Sequence, residues 1–289
     1  MTVVEVIQKS TEFLAQRGVE SPRLQVELLL AHVLQMPRMK LYLNFDQQLN
    51  ETELARLREM IQRRGKREPL QHIIGSTSFC GLEIEVSPVV LIPRPETEIL
   101  AEHAWLFLQS ITSPAPFALD LATGSGCIGI ALATLCPAAR VFAVDVSVPA
   151  LALAKRNAER LGVAERITFL ESDAFSRLPK ECRFNLIVSN PPYIPSAEIE
   201  TLEREVRDFD PRLALDGGPD GLNFYRLFAK EAGSFLAADG KVMLEFGDGQ
   251  AAALKEIFER AQWQVEKVVR DYTGRERFLI ASRAPDRQP

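Results

Sequence analysis

Long apolar runs are missing from this sequence of 289 residues. No stretch approaches the roughly 20 consecutive apolar residues that a membrane-spanning helix needs. The first residues, MTVVEVIQKSTEF, carry acidic side chains and no apolar core, so they do not predict a signal peptide. Low-complexity tracts and internal repeats are also lacking. We therefore expect a globular, cytoplasmic protein that does not bind membranes.

Residues that bind metals are few, because the sequence has only four cysteines and three histidines. Their scattered positions do not match a metal site, and cysteines used in this way are typical of a reduced intracellular protein. The formal net charge is −5, whereas a protein that mainly grips nucleic acid by its phosphates is expected to be basic. The sequence therefore predicts no bound metal and no stable nucleic-acid partner.

Residues 1–68 predict a small helical domain, because apolar residues recur there at helical spacing. Ser21 is the expected N-cap of one helix, with a proline at the first helical position. Asn50 and Glu53 have the spacing of a capping box. The basic residues that close this region are Arg63, Arg64, Lys66 and Arg67. They favour a solvated helix end, where cations suit the helix dipole, over a binding patch.

The remaining chain predicts a β-hairpin linker at residues 69–90 and an α/β domain at residues 91–289. The linker shows β-branched residues, glycines and short alternation. In the α/β domain, largely apolar strands alternate with amphipathic helices, which indicates a Rossmann-like parallel sheet covered on both faces. The last two strand-like runs, WQVEKVVRD and RFLIASR, lie close together and predict an antiparallel C-terminal hairpin on that sheet.

A glycine-rich turn follows the first strand of the α/β domain. The segment DLATGSGCIGI, Asp120 to Ile130, combines small residues with an electropositive helix start. Asp145 ends the next strand, in position for ribose hydroxyls, and Asp173 ends the third. The turn lacks the Lys of a P-loop and the full glycine frame of an NAD(P) site, so S-adenosylmethionine fits it better. Alternatively, the glycines serve only helix packing, and the two aspartates cap the following helices.

A stiff segment ends the fourth strand, where Asn190, Pro191, Pro192 and Tyr193 follow the apolar run FNLIV. Two prolines cannot continue a central strand, and ligands bind at the carboxyl edge of such sheets. The Asn190 side-chain carbonyl and the Pro191 main-chain carbonyl could both accept N–H bonds from a substrate amino group, beside the flat Tyr193 ring. A simple Asn-Pro turn is the alternative.

The NPPY segment resembles the motif of methyltransferases that act on planar, conjugated nitrogens. Further stretches resemble the PrmC/HemK family, the glutamine N5-methyltransferases of peptide chain release factors: Pro69–Val86, Val90–Glu98 (VLIPRPETE) and Glu205–Phe228. With the helical front region, the resemblance covers nearly the whole chain. It implies an S-adenosylmethionine-dependent methyltransferase sheet and a substrate glutamine in the Gly-Gly-Gln loop of a release factor. Residues 1–68 would then recognise the substrate.

The resemblance also assigns the residues of the site. The implied donor-binding residues are Ala122, Thr123, Gly124, Ser125 and Gly126, Asp145 for the ribose, Asp173 and Ala174 beside the adenine, and Asn190. The implied substrate-binding residues are Asn190, Pro191, Pro192 and Tyr193, of which Asn190, Pro191 and Tyr193 are also catalytic. Ala122 replaces the first loop glycine of the family, so we expect it to have a negative φ. Ala174, followed by Phe175, stands where many members carry an aromatic residue.

Other interpretations share parts of this pattern. An N6-adenine DNA or N2-guanine RNA methyltransferase would use the same NPPY segment, because the exocyclic amines of bases are also planar, conjugated nitrogens. Such an enzyme would want a basic recognition region with aromatic residues, which the acidic composition does not indicate. A non-catalytic binding module with a degenerate donor pocket is favoured only by Ala122. Among the remaining charged residues, Arg94, Glu96 and Glu98 are expected to form a salt-bridged entry to the next helix, and Glu245 is interpreted as a strand-end cap.

Overall fold

The structure is a computed structural model that describes residues 1–284, which fold into two units. One unit comprises Met1–Ser76 together with Glu203–Phe209. The other comprises Thr77–Leu202 and residues 210–284. A short segment from the second half of the sequence therefore belongs to the N-terminal unit.

The first unit is built from helices that bury one apolar face each. Their bounds are α1 Val3–Ala15, α2 Pro22–Val33, α3 Arg38–Leu41, α4 Glu51–Gly65 and α5 Leu70–Ile74. The predicted capping box of α4 is confirmed, because Asn50 Oδ1 accepts from Glu53 N at 2.9 Å and Glu53 Oε2 accepts from Asn50 N at 2.8 Å. Ser21 lies at the N-cap of α2, but its backbone is left-handed (φ 46°) and its hydroxyl makes no capping hydrogen bond. The predicted N-cap position of Ser21 is therefore confirmed.

The arginines at the end of α4 are paired with carboxylates, so the predicted solvated helix end was wrong for them. Arg63 donates two hydrogen bonds to Glu68, at 2.9 and 2.6 Å. Arg64, which is only 4% exposed, and Arg67 both donate to Glu205, at 2.8 and 2.7 Å. These cations are therefore neutralised within the unit and are not free to neutralise phosphates.

A β-hairpin follows α5. Its strands are β1 Ser76–Phe79 and β2 Leu82–Glu85. The turn between them contains Cys80 and Gly81, with φ values of 50° and 75°. The hairpin is shorter than the predicted linker, because the segment HII at its start is helical and belongs to α5, which ends at Gly75 with φ 88°. The β-branched residues there pack into the helical core, as Ile73 shows.

The second unit contains a seven-stranded sheet. Its strands are β3 Phe117–Leu121, β4 Arg140–Asp145, β5 Ile167–Glu171, β6 Phe184–Ser189, β7 Leu236–Glu245, β8 Trp263–Arg270 and β9 Glu276–Arg283. They are ordered β5-β4-β3-β6-β7-β9-β8, with β3 to β7 parallel and β9 antiparallel to both of its neighbours. The predicted Rossmann-like sheet with an antiparallel C-terminal hairpin is confirmed.

Helices cover both faces of this sheet. Their bounds are α6 Pro95–Ser110, α7 Cys127–Leu135, α8 Val148–Arg160, α10 Asn223–Glu231 and α11 Ala251–Arg260, whereas α9, Arg204–Arg207, lies in the first unit. Successive strand residues enter different apolar clusters: Ala118 packs with α6, α7 and α8, and Leu119 packs with α10 and α11. Burial on both faces explains why the parallel strands are apolar runs. Within residues 1–284, no helix is long and apolar enough to cross a bilayer.

Candidate active site

The carboxyl ends of β3, β4, β5 and β6 surround a cavity of about 250 Å³. Most of the residues predicted for the site line it: Ala122, Thr123, Gly124, Ser125, Asp145, Asp173, Ala174, Asn190 and Pro192. Gly126, Pro191 and Tyr193 are not among its lining residues. Much of the remaining wall is apolar and includes Val90, Ile128 and Phe224. A mainly apolar cavity with a few convergent polar groups is the usual form of a small-molecule site.

The loop between β3 and α7 turns sharply through three residues of positive φ. These are Ala122 at 60°, Gly124 at 55° and Gly126 at 82°. The negative φ expected for Ala122 was therefore wrong, and a left-handed alanine costs about 1–2 kcal/mol. Gly126 is required for a second reason, because a Cβ there would lie 3.0 Å from Ala154 Cβ on α8 and 3.0 Å from Ile130 Cδ1. The glycine allows α7 to begin close against α8.

Asp120, near the end of β3, anchors this loop. Its buried carboxylate oxygen Oδ2 accepts from Thr123 Oγ1 at 2.6 Å and from Gly129 N at 2.8 Å. Burial raises the pKa of Asp120 to about 6, against the lowering effect of these two hydrogen bonds. One carboxylate thus connects the end of β3, the loop and the first turns of α7.

Asp145 lies where a ribose-binding carboxylate was predicted. Its Oδ2 accepts from Gly124 N at 2.9 Å and its Oδ1 accepts from Ser147 N at 2.9 Å. Burial raises the pKa of this carboxyl, and the backbone hydrogen bonds oppose the increase. The cap of α8 is Ser147, whose hydroxyl accepts from Ala150 N at 3.3 Å. Asp145 is therefore not the helix cap, and its carboxylate retains acceptor capacity for a ligand that enters the cavity.

The segment after β5 does not supply an aromatic side chain to the cavity. Asp173 and Ala174 line it, and Ala174 has a left-handed backbone with φ 45°. The next residue, Phe175, is 2% exposed and stacks on Phe235 with ring centroids 5.5 Å apart. Phe175 is therefore buried in the core between the sheet and α10. Ala174 is the residue next to Asp173 that lines the cavity.

Asn157 on α8 holds the backbone of the loop between β3 and α7, a contact that the sequence did not indicate. Its Nδ2 donates to the carbonyl oxygens of Ser125 and Glu85, each at 3.0 Å. Its Oδ1 accepts from Glu85 N at 2.8 Å. The fully buried amide thus ties the loop to β2. Asparagine inside an amphipathic helix is unusual enough to be a signal, but its partners lie far away in the sequence.

The side chain of Asn190, directly after β6, is held at one end only. Its Nδ2 donates to Thr97 Oγ1 on α6 at 3.2 Å. Its Oδ1 is buried and has no hydrogen-bond partner within residues 1–284. Thr97, which also lines the cavity, donates in turn to Glu245 Oε2 at 2.7 Å. Burial raises the pKa of Glu245, at the end of β7, to about 7. Neither Thr97 nor Glu245 was assigned to the site from the sequence.

The backbone after Asn190 is fixed by neighbouring loops. Tyr193 O accepts from Gln250 Nε2 at 2.9 Å, and the Tyr193 ring is half-buried against the core. Burial raises the pKa of the Tyr193 phenol above its ordinary value, and the charge of Glu245 acts in the same direction. Ile194 N donates to Leu215 O at 2.9 Å, which forms a short bridge beside the segment. The NPPY segment is therefore a supported arm and not a free turn.

An ion pair lies next to the cavity at the start of α6. Arg94 Nη2 donates to Asp210 Oδ2 at 2.7 Å, and the Asp210 side chain is 1% exposed. Burial raises the pKa of Asp210 to about 6, and Arg94 lowers it. The ion pair expected of Arg94 is formed with Asp210, whereas no such pair of Glu96 or Glu98 is found within residues 1–284. The pair of Arg94 fixes the residue before Pro211, which lines the cavity.

Two family models match this sequence. The model of the PrmC N-terminal domain matches residues 5–75, and that of the methyltransferase small domain matches residues 100–217. The release factor glutamine methyltransferase of Geobacter sulfurreducens is 48% identical over 259 residues, which cover 90% of this chain and 89% of the relative. The release factor glutamine methyltransferase of Chlorobaculum tepidum is 42% identical over 284 residues, which cover 96% of each.

Solved structures share the fold at lower identity. A methyltransferase from Pyrococcus furiosus has a TM-score of 0.52 and 21% identity, with 82% of this chain and 100% of that chain covered. The catalytic domain of hMettl16, in complex with MAT2A 3'UTR hairpin 1, has a TM-score of 0.55 and 17% identity, with 82% of each chain covered. At these identities the likeness shows a common methyltransferase fold.

Proposed function

This chain belongs to the family of the release factor glutamine methyltransferases, and we propose that it methylates a glutamine of peptide chain release factors. The methyl donor is S-adenosylmethionine, and the acceptor is the N5 nitrogen of the glutamine in the Gly-Gly-Gln loop. Relatives with this name cover nearly the whole chain, both the helical unit and the α/β unit. The family therefore supports the function of the entire molecule and not of one module.

The observation that carries the proposal is the free oxygen of Asn190. A buried carbonyl without a partner costs about 1–3 kcal/mol, and Asn190 Oδ1 bears that cost at the edge of the cavity. A substrate amide NH2 would satisfy it. An unpaired acceptor suits a substrate that brings N–H groups, as the side chain of glutamine does.

The residues around the cavity fit the adenosyl donor. Asp145 keeps acceptor capacity for two ribose hydroxyls, and the loop from Thr123 to Gly126 places small residues and the start of α7 at the cavity. Asp173 and Ala174 stand where the adenine would lie. The donor supplies an electrophilic methyl group on a sulfonium, and no metal is needed for that chemistry.

The chain's own contribution is to make a poor nucleophile reactive. The lone pair of an amide nitrogen is delocalised into its carbonyl, so the nitrogen must be held with the lone pair aimed at the methyl group. Asn190 Oδ1 and the Pro191 carbonyl would accept the two N–H bonds and stabilise the positive charge that grows on nitrogen. Tyr193 would supply a flat wall against the amide plane. The nitrogen becomes acidic once its bond to carbon has begun to form, and water would then accept its proton.

The helical unit is the proposed recognition domain for the release factor. We place this role in residues 1–68, with 69–90 as the linker and 91–289 as the methyltransferase domain. Three of the four basic residues at the end of α4 are already paired with carboxylates, which fits a protein partner better than a polyanion. An N6-adenine or N2-guanine methyltransferase acting on nucleic acid is not favoured, because the curated relatives that span this chain act on release factors by name.

Methyl transfer to a purified release factor tests the function directly. We expect labelled donor to modify the wild-type factor, and mass spectrometry to place one methyl group on the loop glutamine. A factor with that glutamine changed to alanine is the control and should stay unlabelled. Label that survives this change, or label that enters DNA or ribosomal RNA instead, would reject the assignment.

A substitution at Asn190 distinguishes an effect on methyl transfer from an effect on the binding of S-adenosylmethionine. Asn190→Ala should lower kcat about 100-fold, the usual effect of removing one preorganised group, while the affinity for S-adenosylmethionine falls less than about threefold. An equal loss of both would mean that Asn190 serves the donor and not the substrate.

A further inference from the structure

The Asn190 amide can face the cavity in two ways that differ by a half-turn of its terminal group. In one orientation Oδ1 faces the substrate, and in the other the NH2 group does. Only the first can accept N–H bonds, because an NH2 group is a donor alone. Whatever selects between these orientations decides whether the tip can hold a substrate amide.

Thr97 receives one end of this amide, and its hydroxyl has a single hydrogen to donate. That hydrogen is directed to Glu245 Oε2, 2.7 Å away. The distance is within the range of a hydroxyl bonded to a carboxylate, which is stronger than a neutral hydrogen bond. The Thr97 oxygen can then only accept, so the group of Asn190 that meets it must be the NH2 at 3.2 Å.

We infer that Glu245 and Thr97 are positioning residues, which fix the Asn190 amide with Oδ1 towards the substrate. The inference rests on the proposed function for its substrate, but the orientation itself is a property of the free protein. Neither residue needs to touch the reacting atoms. Both are nearly completely buried, with 2% of Thr97 and 1% of Glu245 exposed, so water does not compete for the bond between them.

The groups around Glu245 determine its protonation state, and its protonation state determines whether the Asn190 amide is held in this orientation. The groups that act on its carboxyl are Arg94 and Glu96 at the start of α6, Arg277 on β9, and the phenols of Tyr193 and Tyr225. An ionised Glu245 can only accept, which fixes the direction of the chain of hydrogen bonds. A protonated Glu245 can also donate to Thr97, which frees the hydroxyl hydrogen to turn towards Asn190. Since burial raises its pKa to about 7, kcat should rise with pH through that region.

Three variants separate orientation from mere structural support. Thr97→Val keeps the shape of the side chain and removes the hydroxyl, whereas Thr97→Ser restores it. Glu245→Gln keeps an acceptor but adds a donor, so the direction is no longer fixed. The matched controls are Thr134→Val on α7, where the buried hydroxyl has no hydrogen-bond partner among the described residues, and Glu171→Gln at the exposed end of β5.

Steady-state kinetics with a release factor give the first measurement. Thr97→Val and Glu245→Gln should lower kcat by about 10-fold or more, equivalent to the loss of one oriented hydrogen bond, with KM and donor affinity within about threefold. Thr97→Ser and both controls should keep kcat within about threefold. The rise of kcat near pH 7 should disappear in Glu245→Gln. A Thr97→Val enzyme with wild-type kcat would overturn the inference.

A measurement that does not depend on turnover gives the second. The chain has six asparagines, so protein labelled with 15N only at asparagine shows few side-chain amide signals, and Asn190→Ser identifies the one of interest. We expect the Asn190 NH2 signals to shift and exchange faster in Thr97→Val and to stay in place in Thr97→Ser and Thr134→Val. Unmoved signals in Thr97→Val would contradict the inference. If the wild-type enzyme methylates no release factor, the proposed function fails, and these signals still decide the orientation.

Discussion

The carbonyl oxygen of Tyr193 lies directly against Gly221, where an added Cβ would overlap it. A Cβ on Gly217 would meet Tyr193 Cα at 2.8 Å. Two glycines of the segment DGGPDG thus allow the chain to pass close to the backbone of the NPPY arm. The prolines make the arm stiff, and this close packing determines where it points.

Replacing Gly221 should therefore move the arm. Gly221→Ala places a methyl group against Tyr193 O and 2.6 Å from Gln250 Nε2, at a φ of 75°. We expect a loss of about 1–3 kcal/mol in the free energy of unfolding, from overpacking and backbone strain. We also expect kcat to fall more than donor affinity does, because the substitution leaves Asp145 and the loop between β3 and α7 unchanged.

The control for strain alone is Gly274→Ala. This residue has a similar φ of 85°, but a Cβ there would have no neighbour within 4 Å. Chemical denaturation and methyl-transfer assays of both variants separate the two effects. If Gly274→Ala lowers kcat as much as Gly221→Ala does, then packing against Tyr193 is not the cause.

Ala122 offers a change in the opposite direction. Its φ of 60° lies in the left-handed region, where glycine is favoured over alanine by about 1 kcal/mol. Ala122→Gly should raise the midpoint of thermal unfolding and leave donor affinity the same or higher. Ala152→Gly, at an exposed position inside α8, should lower stability by a similar amount. A destabilised Ala122→Gly protein would mean that strain at this loop is not relieved by glycine.

The order of the elements along the chain was enough to predict the sheet and the location of the NPPY segment. The strands β4 and β6 are largely apolar and lead into Asp145 and Asn190, so these two residues could be placed at one edge from the sequence. The bond from Thr97 to Glu245 could not be found in this way, because it joins residues 148 positions apart. The backbone of Ala122 was also mispredicted, since alanine prefers a negative φ and tertiary packing overrides that preference here.

Asn157 is the clearest structural residue that remained hidden in the sequence, and it should matter for donor binding. Asn157→Ala leaves Glu85 N, Glu85 O and Ser125 O without their partner, at about 1–3 kcal/mol for each group that stays dry. We expect weaker binding of S-adenosylmethionine by calorimetry, together with a lower stability. Asn185→Ala removes an amide whose Oδ1 accepts from Phe117 N, at the end of β3 away from the cavity, and should cost stability without the same loss of donor affinity. Equal donor affinities in the two variants would show that Asn157 does not support the loop.

The pH dependence of stability provides the last prediction, through Glu245. Its pKa is about 7 in the folded protein, against an ordinary value of 4.5 for a glutamate carboxyl, so between these pH values the folded state holds the proton that the unfolded state has lost. The favourable contribution of this group is therefore complete below about pH 4.5 and is lost as the pH rises through about 7. Glu245→Gln, which cannot ionise, should be more stable than the wild type at pH 8, by about 3 kcal/mol at most in the free energy of unfolding, and should unfold at a higher temperature. The difference should shrink towards pH 5, and Glu171→Gln should show no such trend.

A variant that is more stable at pH 8 but slower in methyl transfer would show that the carboxylate is kept for its effect on Asn190 at the expense of stability. A Glu245→Gln protein less stable than the wild type at pH 8 would contradict a pKa raised by burial.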